Sequence, residues 1–205
     1  MIELWIVKIS IGIIFFNLFM ASIRSFFNLN YSKNTLYCGI FGANLKPGAN
    51  KGSALAKFKI LGLYNISIGR DSSGVFINGE IKKNTKEFDN FIEEETLIPN
   101  FKGNSILGHN RAGSAGYKKT VDEAHPFLIN ESLIFTHNGT IRNVANLCKK
   151  YELKENDFNV DSKVLGTLLF TEGTDILSVY KGAAALAYTY LHEPDTLYLF
   201  HGKTR

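Results

Sequence analysis

The feature that most constrains this chain is the brevity of its apolar runs and their interleaving with stretches of helical period. Residues 37–44 (YCGIFGAN) form a short apolar run with glycines, which reads as a strand with Cys38 at its exposed start. In 52–66, Leu55, Phe58, Leu61, Leu63 and Ile66 recur near helical spacing and predict a helix. A loop is expected at 69–74, a strand at 74–81 and an acidic helix at 87–97. Strands follow at 105–111 and 132–137, helices at 143–151 and 162–170. A hairpin is expected from 182–191 and 196–200 across 192–195. Strand pairs of antiparallel character with helices between them indicate an α+β fold of stacked layers.

At 205 residues the chain suits one domain with a sizeable core. The net charge is only +4 and the basic residues are scattered, which argues against a nucleic-acid partner. Two cysteines, Cys38 and Cys148, are too few for a disulfide framework; they could pair once, and a reduced, cytoplasmic setting explains them as well. The histidines at 109, 125, 137, 192 and 201 lack metal-ligand spacing, so no metal is expected. No phosphate loop or dinucleotide fingerprint is present, so no cofactor is expected. Cys148 and the run Leu165, Leu168, Leu169 and Phe170 read as core.

The first 37 residues stand apart, as a leader or pro-segment and linker ahead of a domain at 38–205. Residues 4–20 (LWIVKISIGIIFFNLFM) are strongly apolar but contain Lys8 and Asn17, and they fall short of the roughly 20 residues a spanning helix needs. Three readings stand side by side: a membrane anchor or signal, a removable pro-segment, or a true start at Met20 or later.

Between and after the strands lie short motifs in a fixed order: Cys38-Gly39-Ile40-Phe41-Gly42, Asp71-Ser72-Ser73-Gly74, Gly108-His109-Asn110-Arg111, Ala124-His125-Pro126-Phe127, His137-Asn138-Gly139-Thr140 and Asp161-Ser162. Each alone is weak: a buried cysteine, an Asn-Gly turn, an N-cap aspartate or a surface arginine explains it as well. As a set they supply what amide cleavage needs. A cysteine is an effective nucleophile. As a first residue its own α-amino group, with a reference pKa of about 8, can serve as base. An Asn side chain and a backbone N–H can hold an oxyanion. An Arg binds a carboxylate bidentately, and an Asp binds an ammonium.

Taken together, the segments from Cys38 to about Gly202 resemble the glutaminase domain of class II (N-terminal nucleophile) glutamine amidotransferases. The resemblance implies a four-layer αββα sandwich; related domains continue through further strands, so the chain reads either as a fragment truncated at the C-terminus or as a minimal version of the domain. It implies that Cys38 is the nucleophile, that Asn138 and Gly139 form the oxyanion hole, that Arg111 holds the substrate carboxylate, and that Asp161 binds the substrate amino group. His125, Asp71 and Gly74 would shape the pocket. L-Glutamine would be the substrate, and a synthase domain or subunit the acceptor of its ammonia. The alternatives are an inactive ligand- or partner-binding protein of the same fold and a related hydrolase acting on another amide. Three departures from the family pattern stand out. Arg70 is shifted relative to the loop arginine, Ala112 replaces an aromatic after Arg111, and Lys163 stands where an acid is common.

Overall fold

The computed structural model describes residues 38–94, 101–113 and 120–203 and, through their backbone, 5–9 and 14–18. Among the described residues, ten strands form two antiparallel sheets. One holds β1 (Trp5–Ile9), β10 (Glu193–Lys203), β9 (Gly182–Tyr190), β8 (Leu133–Ile141) and β7 (Phe127–Ile129), in that order. The other holds β2 (Ile14–Leu18), β3 (Gly39–Asn44), β6 (Ser105–Arg111), β4 (Ser72–Ile77) and β5 (Glu80–Asn84).

Period-two side-chain alternation explains why the sheets stack. In β3, Phe41 and Ala43 join a core with Leu55 and Phe58 of α1 (Lys51–Asn65) and Phe88 of α2 (Phe88–Glu94). Ile40, on the opposite face, meets Phe76 and Leu107 of its own sheet and Ile134, Ala187 and Leu197 of the other. In β8, Leu133 and Phe135 pack with Val164, Leu165 and Leu168 of α4 (Asp161–Glu172) and with Leu147 of α3 (Val144–Lys150), while Ile134 turns inward. Ile176 and Leu177 of the short α5 (Ile176–Val179) close that outer core. The sheets thus face each other, and each carries helices on its far side. Strands buried on both faces cannot show clean polar alternation, which is why their sequences read as short continuous apolar runs.

Most expected elements lie where periodicity put them, and the differences have local causes. The single strand expected at 74–81 is a hairpin, because Asn78 and Gly79 both take positive φ (54° and 84°) and reverse the chain between Ile77 and its partner Glu80. Residues 72–73, expected in a loop, belong to β4. Strand β7, only three residues long, has no periodic signal. Phe170 is not core: it sits 38% exposed on the outer side of α4, while Leu165, Leu168 and Leu169 are buried.

The apolar N-terminal run contributes β1 and β2, which pair antiparallel with β10 and β3 at one edge of each sheet. No helix among the described residues is long and apolar enough to cross a membrane.

Candidate active site

The site is built where strand ends from both sheets converge. Cys38 immediately precedes β3, whose first residue, Gly39, pairs with Asn110. Arg111, at the end of β6, pairs on its other side with Ser72. Cys38, Arg111 and Asp71 therefore share one end of one sheet. The backbone N–H of Asp71 donates to the Arg111 carbonyl (2.8 Å), and an Asp71 carboxylate oxygen accepts from the Gly113 N–H. Gly39 has no room for a side chain: a Cβ there would lie 2.3 Å from Asn65 Oδ1.

The facing sheet supplies Asn138 and Gly139 from β8. The Asn138 side-chain amide donates to the Cys38 carbonyl, joining residues a hundred positions apart. Nδ2 carries two hydrogens, so one remains for a further acceptor. Gly139 is part of the strand rather than a turn; its φ of 155° and a Cβ position 1.9 Å from the Ala183 carbonyl leave space only for glycine.

Asp161 opens α4 without capping it, the N-cap being Val160. Its carboxylate instead accepts the Ile141 N–H at 2.8 Å. Ser162 beside it meets His137 Nδ1 at 2.8 Å. These contacts fasten the start of α4 to the end of β8, next to the Asn138-Gly139 pair.

His125 and Gly74 are linked to each other. The His125 carbonyl lies 2.1 Å from where a Gly74 Cβ would stand, so Gly74 lets the loop before β7 close onto β4. The His125 ring stacks on His109 with centroids 4.2 Å apart. The imidazoles of His109, His125 and His137 are buried and held neutral: burial lowers the pKa of His109 to about 3, that of His125 well below the ordinary range, and that of His137 in the same direction. None of the three is charged near neutral pH.

Burial raises the pKa of the Cys38 thiol. The hydrogen bond from Sγ to the Ala112 carbonyl (3.7 Å) and the positive charge of Arg111 oppose this, while Asp161 and Asp71 reinforce it. Cys38 is therefore a protonated thiol at rest and needs a base to react.

Arg111 is buried, and its Nη1 lies 3.7 Å from Oε2 of Glu123. Glu123 ends a single 3-10 turn, Val121–Glu123, just before the Ala124-His125-Pro126-Phe127 segment. Sequence reasoning did not single it out. The signal available was an acid directly beside that motif, which has meaning only once the turn is folded against β6. Of the departures, Arg70 points back to the Ile66 carbonyl (3.2 Å) in an exposed position. Lys163 bonds Asp122 at 2.8 Å and lies over the Phe127 ring, so it ties α4 to the same turn. No group of metal-ligating side chains occurs among the described residues.

No family model matches the chain. It is 29% identical over 153 residues to glutamine–fructose-6-phosphate aminotransferase (isomerizing) of Thermococcus kodakarensis, covering 66% of this chain and 25% of that protein. It is 34% identical over 146 residues to 7-cyano-7-deazaguanine synthase of Saccharolobus solfataricus, covering 64% and 31%. The chain thus spans about a quarter to a third of the length of these relatives. Among solved structures it is similar in fold to the allosteric regulatory enzyme of purine biosynthesis (TM-score 0.57, 21% identity, 79% of this chain and 41% of that one). It is likewise similar to glutamine phosphoribosylpyrophosphate amidotransferase of B. subtilis (TM-score 0.54, 22% identity, 74% and 35%). On its motif order, its sheets and these likenesses, the chain belongs, at low identity, to the class II, N-terminal-nucleophile glutamine amidotransferase family.

Proposed function

We propose that the protein hydrolyses the side-chain amide of glutamine with Cys38 as nucleophile. The observation that carries this reading is the meeting of Asn138 with Cys38 across the two sheets. Cleavage of the Tyr37–Cys38 bond would free the α-amino group of Cys38. That amine takes the thiol proton, and the thiolate attacks the amide carbon. The oxyanion is held by the free hydrogen of Asn138 Nδ2 and the Gly139 N–H. The proton passes to the leaving nitrogen, ammonia departs, and a thioester remains. Water then adds to the thioester and releases the glutamate product and the thiol. Arg111 holds the carboxyl end of the substrate and Asp161 its ammonium.

The N-terminal amine suits the role of base for two reasons. The raised thiol pKa makes a base necessary. The hydrogen bond of Sγ goes to the Ala112 carbonyl and to no histidine among the described residues. The ammonia would be consumed by a synthase domain or subunit, as the names of the relatives suggest. The unpaired Cys38 and Cys148 accord with a cytoplasmic location.

A second reading, a non-catalytic member of the fold, is favoured where Cys38 keeps its peptide link, since an amide nitrogen is no base. Ammonia release by the chain starting at Cys38 separates the two. Cys38→Ala is expected to lower it by about a thousandfold or more, and ammonia release that survives this change excludes the mechanism.

A further inference from the structure

Helix α1 is apolar on two sides. Its inner side, with Leu55, Phe58 and Gly62, is buried and packs with Phe41 and Ala43 of β3. Its outer side carries Ile60, Leu63 and Tyr64, which stand 64%, 46% and 70% exposed. Positions three and four apart are neighbours on a helix surface, so the three side chains form one patch. A helix that only covers a sheet keeps its outer face polar. Grouped apolar side chains on a surface mark a contact with another protein, and Tyr is a type that such interfaces favour. Cations edge the patch: Lys57 and Arg70 are exposed, and residues 51–70 contain Lys51, Lys57, Lys59 and Arg70 but no acid.

The position of the patch favours one occupant. The turn that carries Leu63 and Tyr64 ends at Asn65, whose Oδ1 lies 2.3 Å from where a Gly39 Cβ would stand, directly after Cys38. The Gly62 carbonyl accepts from Asn110, the neighbour of Arg111, and the Asp71 N–H beyond the helix donates to the Arg111 carbonyl. The apolar face is therefore the outer side of the turn whose inner side abuts the strand ends bearing Cys38 and Arg111. This inference rests on the reading that ammonia made at Cys38 is consumed by a synthase. Ammonia set free in water near neutral pH takes up a proton and loses the lone pair that makes it a nucleophile. Its consumer must seat beside the site and exclude water. The chain spans about a quarter to a third of the length of its relatives, so most of each relative lies outside the matched region. We propose that the Ile60, Leu63 and Tyr64 face of α1 is the docking surface for an ammonia-consuming synthase subunit. That subunit meets it with an apolar patch rimmed by acidic side chains, which complement Lys57 and Arg70.

Photocrosslinking tests the surface. The full chain, with p-benzoylphenylalanine in place of Tyr64, is irradiated in the cells that make it. Mass spectrometry of the adduct is expected to identify an enzyme that incorporates ammonia into its product. With that enzyme, the double variant Leu63→Asp, Tyr64→Ser is expected to lower glutamine-driven synthesis by about tenfold or more at limiting chain. Synthesis driven by ammonium chloride, the ammonia released by the variant alone and its Tm are expected to stay unchanged, since both side chains are exposed. No adduct, an adduct with a second copy of this chain, an adduct with a protein that uses no ammonia, or glutamine-driven synthesis indifferent to the variant overturns the proposal. Ammonia release from glutamine by the purified protein keeps the two readings apart. An adduct with an ammonia-using enzyme but no ammonia release removes the hydrolytic reading alone. Ammonia release without such an adduct removes this inference alone.

Discussion

At the residue scale, the proposed chemistry depends on donors fixed before the substrate arrives. Asn138 is buried, and its amide is oriented by the Cys38 carbonyl. A preoriented donor strengthens most where negative charge develops, in the transition state, so its loss falls on kcat more than on KM. Asn138→Ala is expected to lower kcat for ammonia release by about 10²–10³ with a small change in KM. Steady-state kinetics of the chain starting at Cys38 checks this, and a pure KM effect would assign Asn138 to ground-state binding. Gly139 has a different kind of necessity: the Ala183 carbonyl occupies the space of its missing Cβ, so the strand approaches its neighbour only with glycine there.

At the element scale, α1 carries the sheet that holds Cys38. It begins at Asn50, whose side chain accepts the Ser53 N–H at 2.8 Å. It ends against β3 and β6, where the Asn110 side chain donates to the Gly62 carbonyl at 2.8 Å. Gly62 sits inside this helix, a position where alanine is ordinarily favoured by about 1 kcal/mol. Here a Cβ would stand 1.9 Å from the Phe88 ring, which is itself fully buried in the core beneath the helices. The ring is pinned by edge-on contacts with Phe41 and Phe58 at 5.1 and 6.2 Å between centroids. Overpacking costs about 1–3 kcal/mol and outweighs the helix preference. Gly62→Ala is expected to lower Tm by several degrees; an unchanged or raised Tm in a thermal unfolding scan would contradict this packing.

At the scale of the whole molecule, three neutral histidines lie where the two sheets meet. His109 comes from β6, His137 from β8, and His125 from the loop that closes over both, with neither of its ring nitrogens hydrogen-bonded. The folded chain keeps the pKa of His109 at about 3, while the unfolded chain takes up a proton near 6.5. The unfolded state therefore binds more protons as pH falls, and stability is lost from about pH 6.5 down toward 3. His125 and His137 shift in the same direction and add to the slope. Each fully engaged histidine contributes up to about 1.4 kcal/mol per pH unit. Urea unfolding midpoints are expected to fall steadily from pH 7 to 5, and equal midpoints would show that the imidazoles protonate in the folded state. At the same scale, β1 and β2 cover the sheet edges beside β10 and β3, so the strand that starts next to Cys38 is not itself an edge.

What this sequence determined by itself was the family it resembles and the kind of fold. The order of its motifs, with a cysteine at the head of an apolar run, named the residues worth following. The helical spacing in 52–66 and the apolar runs at 37–44 and 105–111 placed the elements that hold them. These are local properties, carried by residue type and period. The sequence misplaced what depends on a neighbour. Phe170 continues an apolar helical face yet looks outward, because α4 turns Leu165, Leu168 and Leu169 toward β8. The Asn78-Gly79 turn was hidden inside a run that looked like one strand. The tertiary structure alone decided that Asn138 reaches Cys38, that Asp161 grips β8 instead of capping α4, and that Glu123 stands against Arg111. Each contact joins elements far apart along the chain. Only the stacking of the two sheets brings such groups within a few ångströms, and no period or local motif encodes that distance.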